Sequence, residues 1–536
     1  MSATGGELVV APDEPKPPVR TGAAATAVAA GILISRMFGL VRQSLMAAYL
    51  GADLAGDAFT ASFKFTNILQ NLFGEGALSA SFIPVYTRLL ARGEDDEADR
   101  LAGAIGALLG LTVAVFVLVG IVTTPWFIPV IAKGFTGEKR ELTIHLTRLL
   151  WPGAGIFVLS AWCLGILNSH RKFRLPYLAP VLWNVAMIAA LLWAGPREGD
   201  RRLAETLAWA SVAGAALQFL IQVPTTLSLI RHLRLTLDLQ STHVRAVVKN
   251  FGPVFVARGV VQISSYIDQW IATFLPTGMV ATFNYATSVS VLPVSLFGMS
   301  ISAAELPEMS RAIGDQDDIA STLRSRLQRG LRNIAYFVVP SAMALLVLGE
   351  VISAVMFEHG RFTARDSLFA WGILAGSAVG LLAATMGRLY SSAYYALHDT
   401  RTPLRFATLR IFLTFVLGYI CAIPLPKLLG IDPRWGTAGL TASAGVAAWI
   451  EFTLLRSTLN RRIGQTGVSA RYIAMLWAAS AVAALAGWGT WTFIGERRFI
   501  GGIVTLAVYG VVFLVTTVAM GIPEATAVIA RIRRRR

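Results

Sequence analysis

The chain has 536 residues, 55% of them hydrophobic and 15% charged, with a mean hydropathy of +0.61 and a formal net charge of +16. Soluble domains carry about a quarter charged residues, whereas here apolar runs of ~20 residues, each able to cross ~30 Å of hydrocarbon, recur from Ala23 onward. A soluble globular protein is excluded. In a membrane protein the basic excess serves orientation and anionic headgroups, so nucleic acid is not an expected partner.

Residues 1–20 are rich in proline and acidic groups and lack a basic segment leading into a short apolar core. They predict a disordered cytoplasmic tail, not a cleaved signal. The hydropathy pattern then predicts fourteen spans, at 22–50, 58–88, 101–132, 142–168, 177–195, 203–230, 250–275, 279–310, 331–357, 367–397, 404–426, 436–456, 470–494 and 499–530. Several are longer than a straight crossing needs, which predicts tilt or bending. Cys163 and Cys421 both fall inside spans, which argues against a disulfide framework or a metal cluster.

Orientation follows from the connections. With the N-terminus in the cytoplasm, 28 of the 47 Lys and Arg residues lie on that side, 12 on the other and seven within spans. The bias places both termini in the cytoplasm. The final RIRRRR, 531–536, suits anionic phospholipid headgroups.

The chain also repeats. ALSASFIPVYTR (77–88) resembles SISAAELPEMSR (300–311), with Pro84 and Pro307 separated by 223 positions. NSHRKFRLP (168–176) and ALHDTRTP (396–403) are basic connections closing on Pro176 and Pro403, separated by 227. Six crossings return a chain to its starting side, so spans 1–6 and 7–12 read as two parallel copies with a site between them. The expected organisation is all-α: a six-helix lobe over 21–232, a second over 233–462, and two extra helices over 463–530.

The seven basic residues in spans are Arg36, Arg42, Lys64, Arg148, Arg258, Arg388 and Arg410. Each costs ~2.5–3.5 kcal/mol at the bilayer centre on insertion scales, so such groups normally face a polar cavity. In span 1, Ser35, Arg36, Gly39, Arg42 and Gln43 share an arc of about 120°. Span 2 carries Lys64, Asn71 and Glu75 on one line with Asn67 at its edge; Lys64 and Glu75, roughly 16 Å apart along the helix, need separate partners. Its NLFGEGALSASFIP stretch predicts a bend. In span 7, Arg258, Gln262, Ser265 and Gln269 fall within an arc of about 60°, with Asp268 beside them. Arg148, Arg388 and Arg410 are isolated, and Glu451 is an unpaired carboxylate open to a coupling ion. The stripes of spans 1, 2 and 7 hold more cations than Asp57, Glu75 and Asp268 can neutralise, which implies an anionic ligand, and guanidinium suits phosphate through its planar fork.

SRMFGLVRQSLMAAYLGADLAGDAFTASFKFTNILQNLFGEGALSASFIPVYTR (35–88) resembles the opening segment of the lipid II flippase family (MurJ, formerly MviN) of the multidrug/oligosaccharidyl-lipid/polysaccharide exporter superfamily. Weaker likeness continues through ILNSHRKFRLPYLAPVLWN (166–184), LPVSLFGMSISAAELPEMSR (292–311) and YYALHDTRTP (394–403). The resemblance implies alternating access between two lobes, carrying undecaprenyl-linked disaccharide-pentapeptide pyrophosphate to the outer leaflet for cell-wall synthesis. It also implies that Arg36, Arg42 and Asp57 match residues the family needs, and that Lys64, Asn67 and Glu75 occupy motif positions. Gln43 and Gln70 stand where relatives carry Asp and Arg. Thr287, Ser288 and Val291 replace an Asp-Arg pair and a following Glu, so an eighth-span arginine is missing. Arg258 is the expected substitute.

The expected substrate contacts are therefore Arg36, Arg42, Arg258, Lys64, Asn67 and Gln262, with Asp57, Glu75, Gly39 and Asp268 as gating or structural residues. The expected partners are lipid II, anionic phospholipid and proteins of cell-wall synthesis. No cofactor is expected; GxxxxGK[ST] is absent, so ATP is not the expected direct energy source, which leaves membrane potential or a cation as candidates for coupling. A flippase for another lipid-linked oligosaccharide, or a non-transport scaffold in cell-wall assembly, are the alternatives. A membrane glycosyl or phosphoryl transferase would need clustered acids, and the EDDEAD of 94–99 lies in a connection, as a solvated helix start.

Overall fold

Backbone N–H and C=O groups in hydrocarbon must be satisfied within their own segment, and among the described residues every long regular element is helical. The computed structural model describes residues 21–230, 232–238, 240–311, 316–495 and 498–533; the predicted N-terminal tail and the last three arginines of the basic tail lie outside them. The first span is α1 (Thr21–Leu50), and the second is divided into α2 (Leu54–Phe73), α3 (Glu75–Ser81) and α4 (Ile83–Ala91). Then follow α5 (Asp95–Ile131), α6 (Gly137–Ser169), α7 (Arg174–Ala194) and the pair α8 (Asp200–Leu220) and α9 (Val223–Leu229). The seventh span is α10 (Thr242–Ala272); the eighth is α11 (Met279–Pro293), a π-helical turn at Val294–Met299, and α12 (Ser300–Ser310). Beyond it come α13 (Gln316–Val347), α14 (Gly349–Phe357), α15 (Ala364–Ala396), α16 (Arg401–Ala422), α17 (Pro424–Leu428) and α18 (Gly436–Ile463), then α19 (Ala470–Ile494), α20 (Arg498–Ala519) and α21 (Pro523–Arg533).

Among the described residues, eleven helices are long and apolar enough to cross a membrane. Of the predicted spans, the second and seventh, which carry polar stripes, do not reach that standard. Charged and amide side chains lower their hydropathy, and the second is broken as well. Its break falls at Gly74, where a Cβ would collide with the Gln70 carbonyl, and again at Phe82 ahead of Pro84. The predicted fourteenth span stops at Ala519, because Gly521 adopts φ 70° and Pro523 starts a separate helix.

Two sets of connections gather at opposite ends of the bundle. At the far end, where α1 finishes, Arg361 reaches Asp53 (3.0 Å) and Asp200, Lys139 donates to Thr277 (2.9 Å), and Arg498 meets Glu358 (2.7 Å). At the near end, where α1 begins, Tyr86 contacts His170 (3.0 Å), Asp99 accepts from the His232 N–H (2.9 Å), and Arg462 meets Asp399 (2.7 Å). This segregation is what helices alternating in direction produce.

The duplication is visible in backbone and packing alike. Among the described residues the only non-glycine positions with positive φ are Arg171 and His398, both at 59°. Each stands five residues before its proline, Pro176 or Pro403, and closes a helix with the same pair of backward N–H bonds. In the first six spans α2 packs on α6, α6 on α8, α7 on α8, α1 on α7 and α5 on α6; the next six repeat this as α11 on α15, α15 on α18, α16 on α18, α10 on α16 and α13 on α15. The last pair, α19 and α20, packs on α13 and α14.

The α15–α18 crossing shows how apolar helices adhere without a hydrophobic drive between them: small residues let backbones touch. A Cβ on Gly376 would lie 2.6 Å from the Ala438 carbonyl, and one on Gly380 would overlap the backbone of Gly445. Gly380→Val should therefore lower the thermal midpoint of the purified protein through overpacking of about 1–3 kcal/mol. Gly110→Val on α5, where a Cβ meets open space, should leave the midpoint unchanged.

Candidate functional site

The polar stripes of α2 and α10 face one another. These helices run antiparallel across the gap between the two sets of six spans, and their stripes pair as rungs. Asn71 Nδ2 donates to Gln262 Oε1 (3.4 Å), and the Tyr266 hydroxyl donates to the Lys64 carbonyl (3.2 Å). Towards the far end the charge acting on Lys64 is Asp268; towards the near end the charge acting on Glu75 is Arg258. The opposite charges acting on Lys64 and Glu75 are thus both on α10, with no direct ion pair to either among the described residues. Close approach at the near end depends on Gly76, since the Arg258 guanidinium occupies the place of its missing Cβ. Gln70, Asn71, Glu75, Gly76, Ser79 and Arg258 line an open polar pocket of about 590 Å³.

A second cavity, of about 150 Å³, lies further along α2 between α1, α7 and α11. Arg42, Gln43, Lys64, Asn67 and Asn284 give it polar walls. Arg42 is 9% exposed, and its guanidinium lies 4.2 Å from the ring centre of Trp183 and 5.8 Å from that of Phe63. Those rings are stacked, 5.4 Å apart, and Trp183 is fixed by its indole bond to Ser211 (3.2 Å). Cation–π contact offsets part of the cost of burying the charge, yet Arg42 Nε and Gln43 Oε1 have no hydrogen-bond partner. Among the described residues no carboxylate pairs with Arg42.

The remaining predicted residues are placed apart from this cavity. Arg36 donates to Ser295 in the π-helical turn (2.7 Å), which bridges α1 to the other half of the molecule. Gly39 faces Asn184 of α7. Asp57 is fully buried at the start of α2, where it accepts from Lys139 Nζ, Gly278 N–H and Ala281 N–H, all at 2.8 Å. The last two are orphan donors at the N-terminus of α11, a position that favours an anion. Gly278 has φ 91°, and the Ala52 carbonyl occupies the place of a Cβ, so only glycine fits this turn. Asp57 is a far-end clamp between the halves.

Asp268 also lines a cavity of about 350 Å³ among α10, α11, α15, α16 and α18, together with Thr287, Ser290 and Arg410. Two expectations change here. Glu451 is not unpaired and Arg410 is not isolated, because they bond to each other at 3.0 Å between α18 and α16. Nor do Arg36, Arg42 and Arg258 form one cluster: they occupy a bridge, a cavity and a pocket.

Residues 46–519 match the family described as Lipid II flippase MurJ. The chain belongs to the MurJ family. Lipid II flippase MurJ of Burkholderia cenocepacia is 31% identical over 80% of this chain and 82% of its own length. Probable lipid II flippase MurJ of Bdellovibrio bacteriovorus is 32% identical over 81% of each. A solved structure of Lipid II flippase MurJ in an inward closed conformation shares the fold, with TM-score 0.76 at 22% identity over 92% of this chain and 98% of the other. An inward-facing multidrug resistance MATE family transporter of the MOP superfamily follows at TM-score 0.66 and 16% identity, covering 82% and 98%. The family expected from 35–88 is the one found, and a MurJ protein is a multi-pass membrane transporter rather than an enzyme.

Sequence reasoning missed several participants. Lys139 counted only as a charge in a connection, and the α11 N–H groups, Phe63, Trp183, Asn284 and Ser295 carry no local signal. Removing one partner of a buried pair leaves the other charge uncompensated, at a cost of about 3–5 kcal/mol. Asp57→Ala and Lys139→Met should each lower the thermal midpoint strongly, and the double variant should lose much less than the two losses added. Additive losses in a double-mutant cycle would mean that the two side chains do not act as a pair.

Proposed function

We propose that this protein flips lipid II from the cytoplasmic to the outer leaflet of the bacterial cytoplasmic membrane, for peptidoglycan synthesis, by alternating access between lobes 21–232 and 233–462. The observation that carries the reading is Arg42: a buried guanidinium with an open donor and no carboxylate, beside Lys64 in a polar cavity of a MurJ-family chain. An anionic headgroup supplies what that cavity lacks. Pyrophosphate can accept two parallel bonds from a guanidinium, while Asn67 and Asn284 offer amides.

The basic connections assign the near end to the cytoplasm, which makes the Asp57 clamp an outer gate. With this gate shut and the near-end pocket of Arg258 open, the headgroup enters from the cytoplasm. Once there it competes with Asp268 for Lys64 and with Glu75 for Arg258. A pyrophosphate that takes over those cations releases the α2–α10 rungs, so binding lowers the cost of separating the helices. The breaks at Gly74 and at the π-helical turn lie at corresponding places in the two copies and serve as hinges. An anion moving outward through an inside-negative potential gains ~2.3 kcal/mol per charge per 100 mV, and Asp268, which lines a cavity, is the candidate carboxylate for a cation that resets the cycle. The terminal arginines are assigned to anionic phospholipid.

The test is appearance of labelled lipid II in the outer leaflet of cells depleted of their own flippase and expressing this protein. Arg42→Ala should reduce the rate ~10-fold or more, the loss of a charge-assisted hydrogen bond of about 1.5–3 kcal/mol. Arg258→Ala should also fail to support growth, and Gly110→Val should not. Inserted wild-type protein that restores no outer-leaflet lipid II removes this reading. Full activity of both arginine variants would favour a scaffold.

A further inference from the structure

We propose that the near-end pocket is a site for a zwitterion, the amino acid end of a side chain in the substrate's peptide, with its ammonium on Glu75 and its carboxylate on Arg258; this rests on the function proposed above. Opposite charges within reach of each other inside a membrane normally close into an ion pair, as Arg410 and Glu451 do at 3.0 Å. Glu75 and Arg258 act on one another without touching, and both line the open pocket of about 590 Å³. The backbone sets their positions. Glu75 opens α3 directly after the break at Gly74, while the Arg258 guanidinium rests on Gly76, where any Cβ would displace it. Glu75 also lies within electrostatic reach of Tyr177 on α7, whose hydroxyl accepts from Asn168 Nδ2 (3.4 Å) and keeps its own proton free to donate.

This charge pattern selects among ligands. A phosphate or a lone carboxylate that takes Arg258 leaves Glu75 without its counter-charge, and a lone amine that takes Glu75 does the same to Arg258; an uncompensated charge is costly in a membrane cavity. A group with ammonium and carboxylate on one carbon satisfies both at once. The guanidinium fork accepts the carboxylate in a bidentate fit, and the ammonium donates to Glu75 in a charge-assisted bond. Gln70, Asn71 and Ser79 bring amides and a hydroxyl to the same pocket, which suits the peptide backbone beside such a group. The spacing matches as well. Lys64 and Glu75 stand roughly 16 Å apart along the helix; with the pyrophosphate moved on to Arg42 and Lys64, three extended peptide residues cover ~10 Å, and the sugar that joins them to the phosphate covers the rest. The third residue of the peptide is then the one that arrives at the pocket. Diaminopimelate, whose side chain ends in an amino acid, fits there; lysine, which ends in a bare ammonium, leaves Arg258 unpaired. The cavity of Arg42 thus recognises the phosphate and the near-end pocket recognises the peptide.

The test measures binding to the full-length protein in phosphatidylglycerol nanodiscs of three forms of lipid II: with diaminopimelate at the third peptide position, with lysine there, which lacks the carboxylate, and with diaminopimelate acetylated on its side-chain nitrogen, which lacks the ammonium. The wild type should bind the first about ten-fold more tightly than either of the others, or ~1.4 kcal/mol. Arg258→Gln should erase the preference over the lysine form and keep that over the acetylated form; Glu75→Gln should do the opposite. Gly76→Ala, which displaces the guanidinium without removing its charge, should behave as Arg258→Gln does. Equal affinity of the wild type for all three forms would overturn the assignment, and equal losses for all three in both variants would place the phosphate at this pocket instead. Phosphatidylethanolamine is the other zwitterion within reach. If adding it to the nanodiscs abolishes the preference, the pocket takes a phospholipid headgroup and the assignment fails; an unchanged preference supports the peptide. Preference for the diaminopimelate form in a protein that restores no outer-leaflet lipid II would sink the proposed function and leave the site standing; flipping with no preference among the forms would do the reverse.

Discussion

Lys64 and Glu75 on α2 and α3 face Asp268 and Arg258 on α10, with Asn71 and Gln262 bonded between them. Ionised groups inside a bilayer must be paired or hydrated, and here each of these residues acts on an opposite charge across the boundary between the lobes rather than within either, without a direct ion pair between them. Because the helices run antiparallel, one register satisfies both ends at once. The polar pocket lies within that seam, and the cavity of Arg42 borders it through Lys64 and Asn67 of α2. Under the proposed function, the side chains that face one another across this seam are also those that an anion must displace to part the lobes.

The two closures of the molecule differ in kind. At the far end Asp57 is fully buried and accepts three hydrogen bonds, two of them from backbone that cannot move independently of α11. At the near end the seam relies on long side chains, Arg258 and Glu75, around an open pocket. Side chains exchange partners more readily than backbone donors at a helix terminus do. Opening first at the near end, with the far-end clamp intact, is the order this difference favours.

How far the sequence could be read depended on the range of the signal. The stripes of Lys64, Asn71 and Glu75, and of Arg258, Gln262 and Asp268, follow the helical period and could be placed on faces from local spacing alone. The repeat read from NSHRKFRLP and ALHDTRTP extends in the structure to single backbone angles, since both contain a positive-φ residue at the same place. Pairing between helices was not legible. Nothing near Glu451 announces Arg410, and nothing near Asp57 announces Lys139 or the N–H groups of Gly278 and Ala281. Nor could spacing reveal that Arg36, Arg42 and Arg258 face three different environments. The fourteen expected spans met the same limit, because the most polar of them are helices whose side chains are compensated only by the opposite lobe.

The net charge of +16 then resolves by position. Most of the basic residues lie in connections, and of the seven within spans, Lys64 and Arg258 face carboxylates on the other lobe while Arg410 bonds to Glu451. Arg36 is bonded to a neutral serine and Arg42 rests on aromatic faces. A buried guanidinium held over rings, with one donor unused, is more costly than a paired one, and a stably folded chain keeps such a group where a ligand completes it. Under the proposed function, the anion implied by the stripes as a whole is placed beside Arg42, whose Nε is the buried guanidinium donor left without a partner.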